Sequence, residues 1–211
     1  MIGLVKKMIE QGTPEWFDLR RGWCTGSRVK DVLAKTKNGI SASRGNYLIE
    51  LALQRITGEF PESFTSEAMQ WGIDQESVAR VKYEIKTKNF VDKATFIVHP
   101  EIPKFGASPD GLINLDGMIE IKNPNSATHI KYLKTKQAPK EYFIQMQAQL
   151  ACAQREWNDF VSHDSRFPES SQMMIVRVYR DDKFIKEMEN EVKQFLIEVD
   201  ELTDFIRNGK F

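Results

Sequence analysis

Two carboxylates and a lysine, Asp110, Glu120 and Lys122, occupy one short stretch of the chain, where Ser108-Pro109-Asp110-Gly111 precedes Glu120-Ile121-Lys122 at hairpin distance. On a strand, alternate side chains share a face, so Glu120 and Lys122 point one way while Ile119 and Ile121 point into a core. Asp116-Gly117 between the two segments is a hairpin turn signal. A hairpin there brings Asp110 beside the Glu120 face. Carboxylates are hard oxygen ligands suited to magnesium and lack the imidazole or thiolate character that favours zinc. The three histidines, His99, His129 and His163, are scattered and form no zinc pattern. An ammonium beside such a metal stabilises a developing hydroxide, or acts as a base when its pKa is lowered. Metal and lysine together prepare water for attack on a phosphodiester. An E-x-K triplet alone is a common surface pair; Pro-Asp-Gly at hairpin distance makes it specific.

The elements around these residues follow from period and punctuation. Thr13-Pro14-Glu15 opens a short helix with a cap and a proline in its first turn. Ser27 is expected to cap a second helix through about Ala34. Apolar residues at Tyr47, Leu48, Leu51, Ala52 and Ile56 predict a helix over 43–57, ended by Gly58. Another helix is expected over 67–85. The period then changes, and strands are expected over 94–99, 105–108, 111–114 and 118–122. Pro124 stops the sheet, and Ser126 is expected to cap a short helix. A helix over 140–153, a strand over 173–179 and a closing helix over 183–207 complete the chain. With no internal repeat or low-complexity linker, residues 1–211 read as a single domain. Its class is α/β, a central mixed sheet flanked by helices.

Composition supports a soluble globular chain, at 41% apolar and 28% charged residues. No apolar run approaches the roughly 20 residues that span a membrane. The apolar stretch within residues 1–7 is too short for a secretory signal, so the expected location is cytoplasmic. Cys24 and Cys152 are too few for a disulfide framework and read as buried, inert thiols. Zero net charge argues against a general nucleic-acid coat, but the charges are unevenly spread. Arg20, Arg21, Arg28, Lys30, Lys35 and Lys37 face one acid, Asp31; Lys131, Lys134, Lys136 and Lys140 face none; and 181–204 is strongly acidic. Such runs mark solvated faces, and also the phosphate-facing side of a DNA enzyme.

An ordered series of motifs resembles the lambda-phage exonuclease, or YqaJ-type viral recombinase, family within the PD-(D/E)xK nuclease superfamily. It comprises Leu19-Arg20-Arg21-Gly22 with Thr25-Gly26-Ser27, Trp71-Gly72 leading to Glu76, Ser108-Pro109-Asp110-Gly111, Glu120-Ile121-Lys122 and Gln145-Met146-Gln147. The resemblance implies a restriction-endonuclease-like core. It makes Glu76, Asp110 and Glu120 the metal carboxylates, with the carbonyl of Ile121 completing the shell. Two magnesium ions are implied, manganese being the alternative. Lys122 would orient or activate the attacking water, and Gln147 would position it or support the scissile phosphate. Arg20 and Ser27 match the family's 5′-phosphate pocket, with Thr25 and Ser108 as further candidates. A guanidinium and small hydroxyls suit a terminal phosphate dianion. Also implied are 5′-to-3′ digestion of one strand of double-stranded DNA to mononucleotides, and a 3′ single-stranded tail for annealing recombination. A homotrimeric ring around DNA, a single-strand annealing partner, and a phage or prophage origin within a bacterial host complete the implications.

Each residue also has a plainer reading: Glu76, Arg20 and Gln147 as surface or helix residues, Ser27 as a cap, and Trp71-Gly72 as packing. An endonuclease of the same superfamily would carry the same metal site and is separated by the Arg20/Ser27 pocket. A DNA-binding scaffold without activity is the third reading, separated by the presence of Asp110, Glu120 and Lys122 together.

Overall fold

The computed structural model describes residues 9–37, 39–60 and 66–209. Residues 1–7, read above for a leader segment, lie outside the described residues. Helix α1 (Pro14–Arg20) begins where the Thr13 hydroxyl accepts the Trp16 N–H, satisfying one of the amides a helix start leaves free. Strand β1 (Cys24–Thr25) follows, then a tight turn over Gly26–Arg28 and the one-turn helix α2 (Val29–Val32). Ser27 caps nothing. The chain there is pressed against Ala107, whose Cβ a Cβ on Gly26 would meet at 2.9 Å. A small ribbon of β2 (Lys35–Thr36) and β3 (Gly39–Ile40) leads to α3 (Ala42–Thr57), which Ser41 caps and Gly58 closes at φ 73°. Helix α4 (Glu67–Thr87) precedes the strands.

Strands β4 (Ile97–Val98) and β5 (Phe105–Ala107) join β1 in a three-stranded sheet ordered β1-β5-β4. The strand expected over 94–99 is reduced to two residues, because His99 Nδ1 accepts the N–H groups of Glu101 and Ile102 and turns the chain. The main sheet holds β6 (Gly111–Ile113), β7 (Gly117–Lys122), β8 (Trp157–His163) and β9 (Met173–Tyr179), in that order. β6 and β7 form the expected hairpin, β7 and β8 run parallel, and β9 returns antiparallel. A parallel pair needs a long crossover; α5 (Ser126–Thr135) and α6 (Lys140–Ala153) supply it. Asn125, not Ser126, caps α5; the Ser126 hydroxyl is turned to Asp164. The long helix α7 (Asp182–Arg207) closes the chain.

The alternation of β7 divides its two faces. Ile119 and Ile121 pack against Ala79 and Tyr83 of α4. Met118 joins the larger cluster containing Leu150 of α6 and Val192, Phe195 and Val199 of α7. Each fully buried apolar side chain of this kind contributes about 1.5–3 kcal/mol. The acidic α7 sits against the basic run of the first half: Lys35 pairs with Glu191, Arg44 with Glu198 and Arg55 with Asp200. Arg21, Arg28 and Lys30 also have acidic partners. Four of the six basic residues of the run are therefore paired within the molecule, whereas Arg20 and the exposed Lys37 have no acidic partner among the described residues. No helix of the described residues is long and apolar enough to cross a membrane.

Candidate active site

The hairpin does what its sequence implies. Gly111 pairs with Ile119, and the Asp110 carboxylate Oδ2 accepts the Ile121 N–H at 2.6 Å. Glu120 is 1% exposed, and its Oε1 lies 2.5 Å from Lys122 Nζ. Helix α6 covers this face with two glutamines. Gln145 donates to Glu120 Oε1 at 2.7 Å and Gln149 to Oε2 at 2.6 Å, while Asn158 of β8 fixes the Gln149 amide at 2.7 Å. Both oxygens of a buried carboxylate are thus held by charge-assisted bonds. The Lys122 ammonium also lies 5.1 Å from the centre of the Tyr142 ring.

The charges in this cluster compete. Burial, then the charge of Glu120, pushes the Asp110 carboxyl well above the usual carboxylate range, with Lys122 opposing and Glu76 adding to the rise. Burial alone would lower the Lys122 ammonium, but Glu120 and Asp110 outweigh it and hold it above an ordinary lysine. Lys122 is therefore a cation at neutral pH, suited to orienting and stabilising negative charge rather than to accepting a proton. Glu76, on α4, lines a cavity of about 590 Å³ with Asp110 and Arg80. Its carboxylate is paired with Arg80 at 2.7 Å.

The donor set fits a hard divalent cation, being carboxylates gathered around the buried Glu120, where they repel one another. A cation is what relieves that repulsion. In their present rotamers, no three acidic, histidine or cysteine side chains of the described residues stand ready to hold an ion. Lys122 and the glutamines occupy Glu120, and Arg80 occupies Glu76.

Gln147 does not reach this cluster. Its side chain is fully buried, donates to the Tyr179 carbonyl at 2.8 Å and accepts the Asp181 N–H at 2.9 Å, tying α6 to the corner between β9 and α7. Residues 145 and 149 are one helical turn apart and share a face, whereas 147 lies on another. Helical spacing is the signal that separates the two groups.

A second cavity, of about 600 Å³, is lined by Arg20, Thr25, Ser27, Arg28, Tyr47 and Gln54 among others. The Arg20 guanidinium stacks on the Trp16 ring at 3.6 Å, and its Nε is buried without a hydrogen-bond partner. Burial pulls Arg20 down to about 10, with Tyr47 opposing, so it remains charged at neutral pH. Thr25 Oγ1 and Ser27 Oγ lie 3.5 Å apart. Ser108 accepts the Trp16 indole N–H at 3.3 Å, and Gln11 donates to the Pro109 carbonyl at 2.8 Å. The segment Ser108–Asp110 therefore joins the two sites: one end touches the stacking partner of Arg20, the other supplies Asp110. Cys24 and Cys152 are buried, with burial raising both thiols, and neither belongs to this chemistry.

Comparison with known proteins places this geometry in context. A family model for the YqaJ-like viral recombinase domain matches residues 15–156. The chain is similar to LHK-Exo, an alkaline exonuclease from Laribacter hongkongensis, at 45% identity and a TM-score of 0.88 over 93% of this chain and 97% of that one. The crystal structure of LHK-Exo in complex with dAMP gives 46% identity, with the same TM-score and coverage. A phage-related exonuclease from Haemophilus somnus 129PT has the same fold, at a TM-score of 0.70 and 15% identity over 87% of this chain and 96% of that one. No curated protein sequence matches.

Proposed function

The chain belongs to the YqaJ-like viral recombinase domain family and is a DNA exonuclease, and from that premise we propose that it digests double-stranded DNA from a 5′-phosphorylated end, using magnesium. The observation that carries the reading is Arg20: a half-buried guanidinium whose Nε is buried without a hydrogen bond, with no acidic partner among the described residues, in a cavity with two hydroxyls, joined to the carboxylates through Ser108–Asp110. A partly desolvated charge without a counter-charge is an unfavourable arrangement that a bound anion would relieve. A terminal phosphate dianion, bound by guanidinium and hydroxyls, meets that need. It also gives the enzyme a reason to begin at a 5′ end, which an endonuclease would not require.

Asp110, Glu120 and the carbonyl of Ile121 would hold the metal, with Glu76 joining by turning from Arg80. Two magnesium ions would supply Lewis-acid polarisation of the phosphodiester and lower the pKa of the attacking water. Lys122, held charged by Glu120 and Asp110, orients that water and stabilises the charge that develops on the phosphate. Gln145 and Gln149 orient Glu120, and one of its oxygens would pass from them to the metal. Ser27, Thr25 and Ser108 hold the terminal phosphate with Arg20. The products are mononucleotides, the class represented by the dAMP bound to LHK-Exo, and a 3′ single-stranded tail. The tail would pass to a single-strand annealing protein in the bacterial cytoplasm, and the enzyme would act as a homotrimer of single nuclease domains encircling its substrate. Lys131 and Lys134 of α5, exposed and without ion-pair partners among the described residues, would face that channel. Charge reversal at both should shorten processive runs; unchanged runs would remove them from the DNA path.

The reading is tested on linear duplex with a 5′-phosphate, linear duplex with a 5′-hydroxyl, and covalently closed circles, with magnesium present or chelated. Fast, magnesium-dependent loss of the 5′-phosphorylated duplex alone is expected. Cutting of the closed circle would make the protein an endonuclease and remove the phosphate pocket from the account.

A further inference from the structure

We propose that Gln54 and Arg55 of α3 are positioning residues that set the selectivity for a 5′-phosphate, by clamping the turn that aims Arg20. The inference rests on the reading of the Arg20 cavity as the 5′-phosphate pocket. Arg20 is the last residue of α1, and its side chain has no acidic partner among the described residues to fix it. Stacking on Trp16 restrains one face of the guanidinium, and the backbone that follows fixes where the residue sits. That backbone turns at once: the Arg20 carbonyl accepts the Trp23 N–H at 3.0 Å, and Gly22 sits at φ 70°.

Both polar groups of Gly22 are held by consecutive residues of α3. Its N–H donates to Gln54 Oε1 at 2.8 Å, and its carbonyl accepts Arg55 Nε at 2.8 Å. The approach is so close that a Cβ on Gly22 would meet Arg55 Cγ at 2.6 Å, in a backbone conformation that side chains rarely adopt. Arg55 is itself braced. Its NH1 pairs with Asp200 of α7 at 2.7 Å, and its side chain is only 8% exposed. Asp200 also takes Lys104 at 3.1 Å, and the Lys104 carbonyl accepts the Cys24 N–H, so one carboxylate steadies both flanks of β1. Gln54 is 4% exposed, lines the Arg20 cavity, and bonds Glu50 at 3.3 Å; Glu50 in turn holds Arg28 at 3.0 Å. The closing helix thus reaches the pocket through α3. Misplacement of a binding cation by about 1 Å is enough to lose much of its effect.

The test is steady-state kinetics of the full chain on duplexes that differ only in a 5′-phosphate or 5′-hydroxyl, for Arg20→Ala, Gln54→Ala, Arg55→Lys and Asp200→Asn. Lysine keeps the charge at 55 but cannot bond Gly22 and Asp200 together. Arg55→Lys is expected to raise KM for the 5′-phosphorylated duplex about tenfold, with kcat within about twofold and KM for the 5′-hydroxyl duplex unchanged. Gln54→Ala and Asp200→Asn should act in the same direction, the latter by about threefold. Arg20→Ala should erase the preference. If it does while the other three variants keep the wild-type preference, or lose activity equally on both ends, the clamp is overturned and the pocket stands. If Arg20→Ala itself leaves the preference intact, the pocket reading fails and the clamp falls with it. Should Arg55→Lys not fold, Gln54→Ala and Asp200→Asn decide by the same criteria.

Discussion

Two partly buried regions lie at the two ends of the Ser108–Asp110 segment, and they carry opposite kinds of surplus charge. At one, Asp110 and Glu120 crowd together with Glu76 near enough to act on Asp110. The fold answers part of that surplus internally, with Lys122, Gln145 and Gln149 on Glu120 and Arg80 on Glu76. At the other, Arg20 has aromatic stacking but no acid among the described residues. The difference teaches what each region lacks. The first is a partly balanced network that a cation would complete; the second is a charge without an acidic partner among the described residues, which an anion would complete.

The largest expected effect comes from unbalancing the first region. Lys122→Ala should lower kcat by about a thousandfold or more, and should destabilise the fold by about 3 kcal/mol by leaving Glu120 buried without its cation. Nucleotide release and denaturant melts measure the two. The second region should respond in the opposite sense. Arg20→Met is expected to raise KM on 5′-phosphorylated ends by about ten- to a hundredfold, yet to leave the fold at least as stable as wild type, since it removes a partly desolvated charge without a counter-charge. A destabilised Arg20→Met would break the comparison, since it would mean that the protein itself balances Arg20.

The glutamines sharpen the boundary of the first region. Gln149→Ala should reduce kcat by about tenfold, because Glu120 loses a bond on one oxygen. Gln147→Ala should leave kcat near wild type and cost about 1–2 kcal/mol of stability, from the two bonds at the corner of β9 and α7. The reverse pattern would place Gln147 in the chemistry. The smallest effect is in pH. Asp110 has a raised pKa when folded, so the folded state holds its proton more tightly than the unfolded state. Stability from that proton is present at low pH and lost as pH rises from the ordinary carboxylate range through the raised value. In chelator, wild type should therefore lose a few degrees of Tm against Asp110→Asn across that window, and magnesium should flatten the difference. Parallel curves would remove Asp110 from the repulsive cluster.

Much of this was legible in the chain, and the failures have physical causes. The hairpin, the shared face of Glu120 and Lys122 and the helices over α3, α6 and α7 follow from period and turn chemistry. Strand β8 did not. All seven of its residues are buried, yet Asn158, Asp159, Ser162 and His163 are polar, so neither alternation nor a continuous apolar run marks it. Those side chains bond to Gln149, Tyr83 with Arg177, His129 and Asn123, partners that only the folded chain assembles. The spread of basic charge over 20–37 was equally misleading, because its acidic partners include residues as distant as Glu141 and Glu191. Arg20 stood out as a motif residue, but its lack of a partner is visible only in three dimensions.

The central claim is that the Arg20 pocket places a 5′ end beside a magnesium-dependent hydrolytic site. The most direct test is a duplex carrying one label in the 5′-terminal nucleotide and another in the 3′-terminal nucleotide of the same strand, followed over time with magnesium and then with chelator. The account expects the 5′ label to appear first, as a mononucleotide, and to stop appearing in chelator. Release of the 3′ label first, release as longer fragments, or release that persists without metal would contradict it.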